Sequence, residues 1–263
     1  MQLAETGGWP LVLSIESLLM KTNRIPSFLV ALLANAAFLS DSAKGAVVLD
    51  LIGDVNAYTF GVQPVPGQVF TDFPTFNCTV LEDFAVSSSE LVITRVSVLF
   101  QAQGGFASFR GVEGYELNLY SLPGQAGASL TGDVASQLVT AGATVTQVVD
   151  PGGSGEYGLV SLDVEIPLPA AGTYWLGVSP RSAVAVTGQF LVANANAGGP
   201  PTVGDGSAEL ANPGLGFGVG ALSALDADYA YAITAIPEPG MFTLWLFGGA
   251  AFLCRRPARR LSQ

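Results

Sequence analysis

From Val47 to Thr234 the chain is cut into short runs in which apolar and polar residues alternate, with glycine or proline between one run and the next. A period of two is the signature of a strand with one buried and one wet face, and a sustained 3.6-residue stripe is missing from this part of the sequence. The clearest case is Tyr157 to Pro167, where Val160, Leu162, Val164 and Ile166 point one way while Ser161, Asp163 and Glu165 point the other. Glu113 to Ser121 repeats the pattern, with Tyr115, Leu117 and Leu119 facing in and Glu116, Asn118 and Tyr120 facing out. Leu91 to Gln101 is apolar on both sides, Val92, Val96, Val98 and Phe100 against Leu91, Ile93 and Leu99, as expected of a central strand covered on both faces.

Further strands are expected around Val47–Ile52, Ala57–Phe60, Thr79–Val86, Ala143–Val149, Thr173–Val178 and Gln189–Ala193, and Tyr229, Tyr231 and Ile233 alternate with Ala230, Ala232 and Thr234. Leu122-Pro123-Gly124, Asp150-Pro151-Gly152-Gly153, Ala170-Ala171-Gly172 and Ser179-Pro180 supply turn chemistry between them. About ten short antiparallel strands divided in this way predict an all-β fold, a single jelly-roll-like β-sandwich. The Gly/Pro-rich stretch from Ala195 to Gly220 reads as a long loop or a poorly paired edge.

The residues from Ala46 to Ala235 include 17 acidic and three basic side chains (Arg95, Arg110, Arg181), a net charge of −14. That field repels phosphate backbones, so no nucleic-acid partner is expected. Histidine is absent from the whole chain, which removes Ser-His-Asp and Cys-His catalysis and the usual zinc ligand sets. Cys78 is alone between the two ends, so no disulfide can form there, and its apolar surroundings predict a small buried residue.

Both ends of the chain carry membrane-directed signals. Lys21 and Arg24 precede an apolar run, Ile25 to Leu39, followed by the small residues Ala43, Gly45 and Ala46, which is the layout of a secretory signal peptide. Met20 lies immediately before Lys21, so residues 20–45 are read as the signal peptide and residues 1–19 as an upstream extension. At the other end Pro237-Glu238-Pro239 is followed by an uncharged segment from Met241 to Cys254 and then by Arg255, Arg256, Arg259 and Arg260. The arginines would be held on the cytoplasmic side of a membrane. Fourteen residues at ~1.5 Å each span roughly 21 Å as a helix, short of a ~30 Å hydrocarbon core, so the segment is a better transient than permanent anchor. Residues 46–235 are then the sandwich and 236–263 the tail, with helices expected in the signal peptide and in the short membrane segment.

The triplet, apolar segment and Arg255-Arg256, in that order, resemble the PEP-CTERM sorting signal of exopolysaccharide-producing bacteria. The resemblance implies an exosortase, a membrane-embedded transpeptidase-like protease, as the partner that recognises Pro237, Glu238 and Pro239 and removes the tail. It further implies an exported precursor, held in the membrane before processing and then delivered to the cell surface or the extracellular matrix, with exopolysaccharide as a second candidate partner. A looser resemblance, through Asp83-Phe84, Tyr115 to Tyr120 and Gly172-Thr173-Tyr174-Trp175-Leu176, is to the sandwich domains that often precede such tails.

Within the body the chemistry is sparse. Asp163 and Glu165, at i and i+2 on one strand face, are about 7 Å apart and could form a glycosidase pair, but two solvated acids are the better reading, so no catalytic residue is assigned and no enzyme is expected. No cofactor is expected, and no metal ligand is assigned. A structural Ca2+ is the one alternative, with Asp150, Asp205, Asp226 and Asp228 as loop acids able to join backbone carbonyls. Trp175 and Tyr120 alternate to the outward side of their strands, where aromatic rings can stack on sugars, and are the candidate glycan-binding residues of a carbohydrate-binding alternative.

Overall fold

The computed structural model describes residues 45–58, 64–87, 91–149, 156–195 and 206–237. Two sheets face each other, each organised around one long strand. In the first sheet β5 (Leu91–Ala102) is central, with β9 (Glu156–Pro167) antiparallel along one side and β8 (Ala143–Val149) beyond it. The other side of β5 is divided between β14 (Tyr231–Pro237) and β11 (Phe190–Val192). Outside these lie β1 (Ala46–Asp50) and β2 (Val65–Pro66) respectively.

In the second sheet β10 (Gly172–Ser182) is central, flanked on one side by β6 (Gly114–Tyr120) and then β7 (Ala135–Val139). Its other side is shared between β4 (Thr79–Val86), antiparallel, and the short β3 (Val69–Phe70), parallel. Beyond β4 come β12 (Glu209–Ala211) and β13 (Leu222–Ala224), so the Gly/Pro-rich stretch contributes a paired sheet edge as well as loop. Two short helices, α1 (Gly124–Ala128) and α2 (Val184–Thr187), close connections.

The alternating apolar residues meet between the sheets. Ile93, Val96, Val98 and Phe100 of β5 pack with Leu117 and Leu119 of β6, Val160 and Leu162 of β9, Leu176 and Val178 of β10 and Tyr231 and Ile233 of β14. Each such fully buried side chain contributes about 1.5–3 kcal/mol of hydrophobic stabilisation. The face assignment of β5 differs from strict alternation: Thr234 pairs with Arg95 and Ala235 with Ile93, so Thr94 is one residue too many against β14. This bulge switches parity, placing Ile93 on the inner side with Val96 and Val98 and leaving Leu99 to a separate cluster with Ile52, Tyr58, Val148 and Tyr157 on the outer face.

Two other expectations are corrected. Ser179-Pro180 is not a turn, because β10 runs through it to Ser182. Pairing with β4 stops at Gly177 and pairing with β3 begins at Arg181, so Pro180 falls in the gap between two neighbours, where its missing N–H costs that side of the ladder nothing. Val55–Ala57 is a 3-10 turn rather than the start of a strand; Asp54 caps it by accepting the Asn56 N–H at 2.9 Å, and Tyr58 is buried behind it. The last strand continues to Pro237, opposite Leu91, so Ile236 and Pro237 belong to the sheet. The expected signal helix, the membrane helix, Glu238, Pro239, Arg255 and Arg256 lie outside the described residues, and among those described no helix is long and apolar enough to cross a membrane.

Candidate functional site

Sequence alternation places Glu116, Asn118 and Tyr120 of β6 on the outer face of the second sheet, and the register of β10 aligns Trp175, Gly177, Ser179 and Arg181 beside them. Trp175 stands directly opposite Tyr120, so the two aromatic candidates do share a face. They do not form an open platform. Tyr120 is completely buried, covered in a small cluster with Ala126 of α1, Leu81 and Ala211, and half-buried Trp175 packs against that cluster with Leu130 and Leu222. Alternation gave the correct side of the sheet for Tyr120; exposure was lost to the α1 connection folded over it. Its hydroxyl has no protein partner among the described residues. Burial first, then the charges of Asp133 and Glu116, raise its pKa above the ordinary phenol range.

Beginning two residues along β6, roughly 7 Å away at strand spacing, the same face opens into a cleft of about 500 Å3. Its polar lining comes from Glu116 and Asn118 of β6, Arg181 of β10, Ser136 of β7, Thr131 and Asn77, and Phe70, Pro74 and Pro213 supply apolar wall. Arg181 is oriented by two carboxylates, its Nη1 3.1 Å from Glu116 Oε1 and its Nε 3.5 Å from Glu113 Oε2. Asn118 is 4 % exposed. Its Oδ1 accepts the Ser136 hydroxyl at 2.6 Å and the Gly132 N–H at 3.3 Å. Those two donors fix the amide orientation and turn Nδ2 away from them.

Sequence reasoning missed this cleft because its residues arrive from separate segments; the one local signal was Arg181, among only three cations in the body. A second, apolar cleft of about 390 Å3 lies among Phe70, Phe73, Phe76, Phe217 and Val184, with Phe76 and Phe217 edge to face at 5.4 Å. Phe73 and Phe76 are exposed.

The remaining candidates are dispersed. Asp163 is engaged by Arg95 (Nη2 to Oδ1 2.7 Å) in an exposed pair on the outer face of the first sheet, and Glu165, also exposed, lies on the far side of a register shift from it. Asp228 Oδ1 accepts the Gly206 N–H at 2.8 Å and Asp226 is exposed; Asp150 and Asp205 fall outside the described residues. Among the described residues no group of three or more acidic or cysteine side chains converges on one point. Cys78 is fully buried, and burial, partly offset by contact with the Gln68 carbonyl, pushes its thiol up to about 12, which keeps it protonated and unreactive. No protein-family model matches the chain, and no curated protein matches it.

Proposed function

We propose that this chain is an exported, non-enzymatic β-sandwich protein of the cell surface or extracellular polymer matrix, delivered by exosortase processing of its C-terminal tail. The observation that carries this reading is the order of Pro237-Glu238-Pro239, an apolar segment too short for a stable anchor, and Arg255-Arg256. That Pro237 lies in β14 opposite Leu91 agrees with it, because the first residue of the proposed recognition sequence is then held by the folded body. The passage of the chain back and forth between the sheets supports a jelly-roll-like winding. Asp163 in an open surface ion pair, rather than in a cleft facing Glu165, favours a non-catalytic role over a glycosidase.

Replacing Pro237, Glu238 and Pro239 together by alanine is the test. The expected result is a precursor retained by the cells, whose intact mass still includes the residues after 240; release of a shortened protein at the normal level would overturn the proposal.

A further inference from the structure

We infer that the polar cleft between β6, β7 and β10 binds a neutral carbohydrate, with Asn118 and Arg181 as the residues that orient it. The inference stands on the cleft and not on the sorting reading. At about 500 Å3 the cleft falls within the ~300–1,000 Å3 of small-molecule sites. Its walls combine the planar groups of Arg181, Glu116 and Asn118 with the flat apolar surfaces of Phe70, Pro74 and Pro213. Hydroxyls on neighbouring ring carbons both donate and accept, which matches side chains presenting paired donors beside paired acceptors, and the C–H faces of a sugar ring match the apolar wall.

Charge selects against the alternatives. The Arg181 guanidinium is already met by Glu113 and Glu116, leaving the trio with one net negative charge, and the body around it is strongly acidic. A phosphate or carboxylate ligand would be repelled. A metal ion would meet a guanidinium held between the two carboxylates it needs. An uncharged, hydroxyl-rich ligand encounters neither penalty.

Asn118 supplies the second, independent observation. The side chain is almost wholly buried, its oxygen is satisfied by Ser136 and Gly132, and it lines the cleft while no described residue accepts from its Nδ2. Its Nδ2 keeps contact with solvent rather than being sealed off unpaired, so its N–H groups can donate to a ligand oxygen in place of water. Sugar hydroxyls provide such oxygens. Arg181 is pre-oriented by its two glutamates, so little ordering is lost when a hydroxyl accepts from its remaining N–H groups.

Calorimetric titration of the full-length chain in mild detergent tests this, using neutral disaccharides of glucose, galactose, mannose and N-acetylglucosamine, and digalacturonate as the anionic control. At least one neutral disaccharide is expected to bind with a Kd of about 1 mM or below. Asn118→Asp, which keeps the acceptor for Ser136 and Gly132 but removes the donor, should weaken that binding about tenfold or more, as should Arg181→Gln on the solvent-accessible wall. Trp175→Ala should bind as the parent does. Absence of binding by every neutral disaccharide, unchanged affinity in Arg181→Gln, or preference for digalacturonate would overturn the inference.

Discussion

The hydroxyl of Tyr231, a residue of the first sheet, accepts the backbone N–H of Val178 in the second sheet at 3.2 Å and donates to the carbonyl of Val80 at 2.8 Å. Val178 and Val80 are the positions just past the last β10–β4 pair, Gly177 with Leu81, so a side chain reaching across the core completes a ladder that its own strands leave open. Tyr231 is fully buried. Tyr231→Phe would leave both backbone groups without a partner in a dry interior, and a loss of about 2–4 kcal/mol is expected. Urea denaturation, with an unchanged m-value, would measure it.

Tyr120→Phe should behave oppositely. The Tyr120 ring is as buried as that of Tyr231, but its hydroxyl has no described partner, so removing the oxygen abolishes a desolvation cost and keeps the packing. The expected change is between zero and about 1 kcal/mol of stabilisation. A loss above about 1 kcal/mol in the same urea experiment would show that the hydroxyl is hydrogen-bonded after all.

Gly158 is a third site with a definite sign. A Cβ there would come within 2.6 Å of Phe109, whose ring lies between Phe106 at 5.4 Å and Phe190 at 5.0 Å and has little room to yield. Gly158→Ala should therefore destabilise by about 1–3 kcal/mol through overpacking, measurable as a lowered thermal midpoint. Gly158→Ala combined with Phe109→Leu should recover part of the loss.

Alkaline pH should unfold the protein at a predictable point. Burial is the leading cause that raises Tyr58, Tyr115, Tyr120, Tyr229 and Tyr231 above the ordinary phenol value, Tyr229 to about 12, with Glu82 adding to the effect at Tyr229. Cys78 is likewise raised to about 12 by burial. Above about pH 9 for the thiol and about pH 10 for the phenols, the unfolded chain releases protons that the folded chain retains. The unfolded state then binds fewer protons, so stability is intact below that range and falls as pH rises, by up to about 1.4 kcal/mol per pH unit for each group. Urea midpoints measured from about pH 8 to pH 11 should stay level and then drop, together with cooperative tyrosinate absorbance.

Much of the sandwich was legible because its strands obey simple alternation. The boundaries of β4 and β8 coincide with the runs Thr79–Val86 and Ala143–Val149, and of the inward set of β9 Val160, Leu162 and Ile166 are buried and Val164 is half-buried. Thr94 gave no warning of its bulge, since a β-branched residue inside an apolar run looks like ordinary strand. Pro180 was misread because a proline's cost depends on which neighbour needs its N–H, and pairing partners are not written locally. Tyr120 shows the limit of periodicity as a guide to sites: it reports the side of a sheet but not what folds over it, and Gly124–Ala128 bears no amphipathic stripe to announce a cover. Asn118 was unremarkable in the sequence and Arg181 stood out only as a rare cation; the register between β6 and β10 puts them on one face.

The seating of β14 between β1 and β5 has a bearing on when this molecule can become whole. The earliest and latest strands of the body are neighbours, and the latest fills an interior slot, so nearly the full length of the body must be synthesised before the slot can be closed. Contacts of such long sequence separation form slowly. Until residues 231–237 are in place, the Leu91–Val98 part of one flank of β5 and the Val178–Val80 gap that Tyr231 bridges stand bare, and a chain halted short of that point is a half-built shell exposed to aggregation.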